Sequence, residues 1–511
     1  MLAYYRNEDL SIAGRQHRSS NGRYICTFEG SLVNEQELRK KLEKTGIYSS
    51  FTRPEELIIE LYRFCGDSFA KVLRGKFTTI IFDKEKKQLI AARDRYGVRP
   101  LYYTKVVDGI GITSKLENFK PSTGWALDKL SQDSLRHYFS YGYIPENNTY
   151  LKNIHHLPAG CHMKYSNACG LTITPFADML VIEGSNNQLV DEQLLYDAVT
   201  EGVQKRIIAD NPAGVFYTGK TEELAIAGIT KQACSRIKVF SAEFRKLPTI
   251  DKSLESCLIR RQVNAADYWI AALRAIQALG VPIADPAAPI DYLLAELARK
   301  YVDIIISADG ADILFGAEEK VFERLKKRNI DDLLFTEAEK DELLKFKGKP
   351  WNEITDSYLA QILDLDGDSR WQTLELNFRL RGSTILKKER LTAHHGLEAR
   401  YPFLDDEVLN IVSFLTNNEK KSMFLFKQIF ASQLSKLPEP KKKDAHNIPL
   451  AKWIRTDLYE YIKSIFEQDI VEDFFNVEEI FSMLEQHRKG TRDLSYQIWS
   501  VTMFIVWLRN L

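Results

Sequence analysis

The sequence predicts an α+β amino-terminal part built from antiparallel sheets, followed by an α/β part with a parallel sheet and a helical end. Three observations carry this. Short β-branched and aromatic runs, "RYICTF", "FTTIIF" and "QLIAAR", punctuate the first third of the chain, separated by charged or Gly-containing turns. Further on, "AGVFYT", "IKVFSAEF" and "VDIIISADG" are each followed by helix-like sequence, the signature of parallel strands with crossover helices. From about residue 320 helical periods dominate, ending in "YQIWSVTMFIVWL".

A chain of 511 residues is too long for one hydrophobic core and predicts two large domains. The boundary is placed near 185, in the polar, turn-rich "VIEGSNNQ". Within the amino-terminal domain a helix is predicted at "NEQELRKKLEKTG", with Asn34 as cap and Gly46 as stop. Lys+Arg and Asp+Glu both number 70, so no single-sign field draws nucleic acid or an acidic membrane. The partner is then a small molecule or another protein. The opening "MLAYYRNEDL" lacks the apolar run of a signal peptide, and "VTMFIVWL" is far short of a membrane span of ~20 residues, so a cytoplasmic protein is expected. Six scattered cysteines form no C-x-x-C pair, which argues against zinc, a redox dithiol or a disulfide framework.

The stretch "GVFYTGKTEE" matches a P-loop, G-x-x-x-x-G-K-T, at Gly214, Gly219, Lys220 and Thr221. In a P-loop the four variable residues wrap phosphate after a strand. Here Val215, Phe216 and Tyr217 are large and apolar, as if they were the strand itself.

Four other segments, "PIADPAAP", "IIISADGADILFGAEE", "HHGLEARYPFLDDEVL" and "PKKKDAHNIPLAKWIR", resemble the asparagine synthetase family in order and rough spacing. "EGSLVN", "LRGKFTTIIFD", "ARDRYGVRPLYY" and "YGYIPENNTYLKNIHHLPAG" look like that family's amidotransferase domain. The resemblance implies an Ntn-amidotransferase-like sandwich over 1–185 and an ATP-pyrophosphatase domain over 186–511. It also implies ATP and Mg²⁺ as cofactors and a carboxylate, small or peptidic, as substrate. Some family members are dimers, which leaves a homodimer or pairing with another family member as an expectation.

On this resemblance "GVFYTGKTEE" holds the place of the family's pyrophosphate loop, S-G-G-x-D-S, whose small residues let backbone N–H groups at a helix N-terminus close on phosphates. Thr218 then stands for the first Ser, Gly219 is kept, Lys220 replaces the second Gly, Thr221 follows, Glu222 replaces the metal-binding Asp and Glu223 the last Ser. Lys220 supplies a point charge where backbone should approach phosphate. Glu223 repels phosphate and is able to satisfy the helix N-terminus itself. Alternatively Glu222 and Glu223 simply cap a helix.

In "SADGADILFG" Asp312 matches the family's magnesium ligand and Asp309 a catalytic acid, beyond the C-terminal end of a strand where α/β proteins bind ligands. Ile313 and Ala308 depart from the family pattern, and turn aspartates capping the next helix are the bland alternative. Lys443 aligns with the family's pyrophosphate lysine, although Lys441–Lys443 on its own reads as a solvated run, and His446 and Asn447 replace an aromatic-glycine pair. Asp285 resembles a substrate-side position or caps a Pro-rich turn, and Ser241 falls near the adenine contacts. Glu398, Arg400 and Asp405 read as an ion network of architectural role.

A glutaminase of this family uses an exposed first-residue cysteine whose own α-amine is the base. This chain begins Met1-Leu2, has Glu29 at the oxyanion-hole Asn and Pro54 at the acid that grips glutamine's amine. Loss of glutaminase activity is expected, as in β-lactam synthetases and lasso-peptide cyclases. Arg93, Asp94 and Gly97 look like a retained turn-and-salt-bridge element. Two functions stay open: an ATP-dependent amide-forming ligase, and a non-catalytic paralogue kept for protein binding.

Overall fold

The computed structural model describes residues 1–6, 9–46, 52–119, 129–145, 148–178, 191–207, 211–244, 252–316, 334–348, 360, 362–365, 367–415, 423–431 and 448–511. These fall into two compact units, Met1–Ser131 with Glu146–Met179, and Gln132–Pro145 with Leu180–Leu511. The boundary expected near 185 lies outside the described residues.

The first unit holds eleven described strands in two antiparallel sheets. They are β1 (Leu2–Arg6), β2 (Asp9–Ala13), β3 (His17–Arg18), β4 (Tyr24–Leu32), β5 (Gly75–Asp83), β6 (Gln88–Arg93), β7 (Tyr102–Val106), β8 (Gly109–Thr113), β9 (Ile154–His156), β10 (Cys161–Ser166) and β11 (Gly170–Pro175). One sheet runs β2-β1-β8-β7-β9, the other β11-β10-β6-β5-β4-β3. Side chains alternate across a strand, and β5 uses both faces. Ile80 and Phe82 join Tyr5, Ile110 and Ile112 of the other sheet, while Phe77 and Ile81 meet the helices Glu35–Lys44 and Pro54–Cys65 through Leu38, Leu57 and Leu61. That is why "FTTIIF" is apolar almost throughout.

The helix Glu35–Lys44 starts after Asn34, as expected, but the Asn34 side chain does not cap it. Its amide instead donates to Val72 O at 2.9 Å and accepts from Arg74 N at 3.1 Å, fastening the approach to β5. The expected turn at Arg93–Gly97 is present, and its charges hold main chain. Asp94 accepts the N–H groups of Tyr96, Val98, Arg99 and Phe77 at 3.0 to 3.3 Å, and Arg93 donates to the carbonyls of Arg99, Leu157 and Gly97.

In the second unit β12 (Ala213–Tyr217), β13 (Lys238–Glu243), β14 (Leu258–Gln262), β15 (Ile304–Ile306) and β16 (Glu398–Arg400) form a parallel sheet ordered β14-β13-β12-β15-β16. The helix Ser495–Leu508 is apolar on every side and buries Trp499 and Trp507 completely. Against it lies the helix Gln132–Tyr141, where the Tyr138 hydroxyl donates to Ser500 O at 2.8 Å and Phe139 packs on Phe504. Arg136 adds ion pairs to Glu337 and Asp341 at 2.5 and 2.8 Å. This short segment thus belongs to the second unit although the chain on either side of it belongs to the first. Glu398, Arg400 and Asp405 are structural: Arg400 pairs with Glu398 at 2.9 Å and donates to Arg206 O, and Asp405 meets Arg206 in a buried pair at 2.8 Å. Among the described residues no helix is long and apolar enough to cross a membrane.

Asp94→Ala strands four main-chain donors, one of them the β5 amide of Phe77, and should cost about 3 kcal/mol in urea denaturation. His487 is fully buried, its Nδ1 accepting from Leu494 N at 3.1 Å and its Nε2 lying 3.0 Å from Ala451 O. Burial holds its pKa below the ordinary 6.5. The unfolded chain therefore takes up this proton first as pH falls through about 6.5, so stability drops on the acid side. Urea midpoints at pH 7.5 and 5.5 should differ less in His487→Gln than in the parent.

Candidate anion-activating cleft

The loop after β12 follows from its residues. All five residues of β12 are buried, and Gly214 lies within it, where an added Cβ would sit 2.7 Å from Ile305 Cδ1 and 3.0 Å from both Phe240 and Val302. The first glycine of the P-loop match is therefore a packing glycine inside the sheet, and the variable residues are strand. Gly219 then turns the chain at φ +102° and the helix Thr221–Ala233 begins.

Glu223, in the first turn of that helix, reaches back over the loop. Its carboxylate accepts from Thr218 N at 2.6 Å, the Thr218 hydroxyl at 2.8 Å and Lys220 N at 3.1 Å. Lys220 is the N-cap, so its N–H is the donor that a capping-box Glu at N3 satisfies, while the two Thr218 donors belong to the loop before it. The drifted sequence thus supplies its own anion at the loop, and burial raises the Glu223 pKa against the pull of Lys220 and Thr218.

Glu222 does not cap. It turns into a shallow, solvent-connected cleft lined by residues that include Phe216, Lys220, Asp309, Asp312 and Lys388, at the carboxyl ends of β12 and β15. Burial pushes its pKa up to about 7; Lys220, with Nζ 3.7 Å away, pulls it down, and Asp312 and Glu223 push it further. The Lys220 ammonium is half exposed at the mouth; burial lowers its pKa, but Asp312, Glu222, Glu223 and Asp309 outweigh this and hold it charged.

Asp309 and Asp312 lie on the turn and short helix after β15, with Gly310 at φ +100°. Asp309 accepts from the Ser307 hydroxyl at 2.7 Å, and Asp312 from Ile313 N at 3.0 Å. Burial raises the Asp312 pKa, but Lys220 and Arg379 reverse this and leave it low, with Arg379 3.9 Å away. Asp285 accepts from Ala287 N at 2.8 Å as a turn residue, and it also pairs with Lys387, a partner the sequence did not suggest. Ser241 is fully buried on β13 with no partner for its hydroxyl, outside the cleft lining. Lys443, His446 and Asn447 lie outside the described residues.

Sequence reasoning named Asp285 and Asp309 but missed the charges that link them, Lys387, Asp291 and Lys388. Asp285, Lys387, Asp291, Lys388 and Asp309 alternate in charge: Lys387 lies 3.1 Å and Lys388 2.5 Å from Asp291, and Lys388 lies 3.9 Å from Asp309. Both lysines stand in the first turn of the helix Leu386–His394. Arg379, paired with Glu375, was missed too. The readable signal was "LKKER" inside an apolar helical pattern, with its acidic partners about 100 residues upstream.

The fit to a bound nucleotide and metal is poor as the site stands. The amides of Thr218 and Lys220 are taken by Glu223, and among the described residues no three His, Cys, Asp or Glu side chains are arranged to hold a metal ion.

The chain joins a unit of two antiparallel sheets to a unit with a parallel sheet and an acid-lined cleft. Residues 7–176 match the glutamine amidotransferase domain family and residues 194–509 the asparagine synthase family. The chain belongs to the asparagine synthase family. It is 24% identical to asparagine synthetase [glutamine-hydrolyzing] 1 of Bacillus subtilis over 98% of this chain and 87% of that one. A putative asparagine synthetase of Mycobacterium tuberculosis is 25% identical over 95% and 84%. An amidase, chyE, of Penicillium rubens is 25% identical over 50% of this chain and 40% of its own. A solved B. subtilis glutamine phosphoribosylpyrophosphate amidotransferase aligns over 48% of this chain and 53% of its own, at 14% identity and a TM-score of 0.23, too low to bear on the fold.

Glu223→Ser releases the Thr218 and Lys220 amides. It should lower helix stability by about 1 kcal/mol, visible as a lower Tm, and raise affinity for inorganic pyrophosphate in calorimetry, because freed N-terminal amides favour an anion.

Proposed function

We propose that this protein is an amide-forming ligase that activates a carboxylate with ATP and takes its amine from free ammonia or a substrate amine, without hydrolysing glutamine. The observation that carries this is the gathering of Glu222, Asp309, Asp312 and Lys388 on one cleft at the carboxyl ends of parallel strands, where doubly wound sheets bind ligands. The family and the asparagine synthetases among its relatives support the same chemistry. What this chain's own residues contribute is charge placed around the reacting carboxylate: Lys388 and Lys220 toward anions, Asp309 toward an approaching amine. Loss of glutaminase rests on the first unit. Glu29, at the position that the resemblance gives to the oxyanion-hole Asn, carries a carboxylate where a hydrogen-bond donor is needed, which supports a lost glutaminase. The acceptor is a small-molecule or peptide carboxylate. The six cysteines, none of them in a disulfide, suit a cytoplasmic setting.

A second reading, a non-catalytic paralogue, is favoured by one observation: Glu223 occupies the loop amides. ATP–pyrophosphate exchange across a panel of carboxylic acids decides between them. The ligase reading expects acid-dependent exchange with ammonia or amines, and no glutamate release from glutamine. No exchange in either the parent or Glu223→Ser would leave the paralogue.

A further inference from the structure

Lys388 is a costly residue to bury. Its side chain is 10% exposed, and removing an ammonium from water is offset only by close partners. Among the described residues its partners are incomplete. An ammonium has three N–H donors; Asp291 Oδ1 takes one at 2.5 Å, and Asp309 Oδ2, at 3.9 Å, is beyond hydrogen bonding. The ammonium sits over the face of Phe216, 5.0 Å from the ring centre, which fixes it on the cleft floor.

Nor does the core need this charge. Asp291 is also paired with Lys387 at 3.1 Å, and Lys387 reaches Asp285, so a methionine at 388 would leave Asp291 with an ammonium partner. Meanwhile the loop that should receive an anion through its backbone is filled by Glu223. Anion-directed donors on the cleft are then side chains, and Lys388 is the one held rigidly inside it.

We propose that Lys388 forms an oxyanion subsite on the cleft floor, seated on Phe216, for a phosphoryl or carboxylate group, taking over recognition that the self-capped loop has given up. As an extension of the ligase reading, the oxyanion is either the departing pyrophosphate or the acceptor's carboxylate.

The test is calorimetric titration of the full chain with inorganic pyrophosphate and, separately, succinate, in the parent, Lys388→Met and Lys388→Arg, with Tm as a fold check. Pyrophosphate affinity should fall at least tenfold in Lys388→Met and stay within about threefold in Lys388→Arg, since one charge-assisted contact is worth that much. A loss confined to succinate keeps the subsite and assigns it to the acceptor. Binding of neither probe by the parent, or equal binding by parent and Lys388→Met, overturns it. If Lys388→Met does not fold, the side-chain NMR signal of Lys388 in the parent, assigned with Lys388→Arg, decides: no shift at saturating pyrophosphate or succinate sinks the proposal. Lys388-dependent pyrophosphate binding without any ATP–pyrophosphate exchange would remove the ligase reading and leave the subsite.

Discussion

The cleft depends on a buried alternation of charge. Asp291, on the helix Ala288–Ala298, holds both lysines of the helix Leu386–His394, and those lysines reach in opposite directions, to Asp285 and toward Asp309. Two helices and the turn after β15 are thereby fixed relative to the sheet. Breaking the set at Asp291, its shared member, costs more than the set contributes, because Lys388 is then left buried with no carboxylate among the described residues nearer than 3.9 Å. The arrangement therefore specifies geometry rather than adding stability, and the catalytic candidates inherit their positions from it.

The loop after β12 shows the opposite economy. A loop of small residues offers bare amides, which water or a ligand must satisfy. This chain satisfies them internally with the Glu223 carboxylate, three donors to one side chain. The same substitution that caps the helix removes the empty cradle. The four carboxylates that face or flank Lys220 now outnumber the cleft's ammonium groups, and the burial of Glu222 carries its proton affinity toward neutrality.

Much of the fold was legible because it is written in local patterns. "QLIAAR" is β6 to the residue, and "AGVFYT" and "IKVFSAEF" fall on β12 and β13. Side-chain chemistry was less legible where partners are distant in sequence. Asn34 marks the helix start but spends its amide on Val72 and Arg74. Adjacent lysines read as a solvated face, and only the fold reveals that Lys387 and Lys388 are buried against acids from two other elements. Gly214 matches the first glycine of a P-loop, but the apolar Val215–Tyr217 already read as strand, and the close neighbours of Gly214 across the sheet give it a packing role.

The segment Gln132–Pro145 has a consequence for how the chain is made. The Tyr138 hydroxyl bonds a carbonyl 362 residues later. At roughly 5–20 residues per second, a ribosome needs on the order of 20 to 70 s to deliver that partner. Until then the helix Gln132–Tyr141 carries Tyr138 and Phe139 without the apolar helix Ser495–Leu508 that covers them, so this part of the second unit closes only after that helix has been made. A nascent chain that ends short of Ser500 and Phe504 holds Tyr138 and Phe139 without these partners, an aromatic pair left open to water.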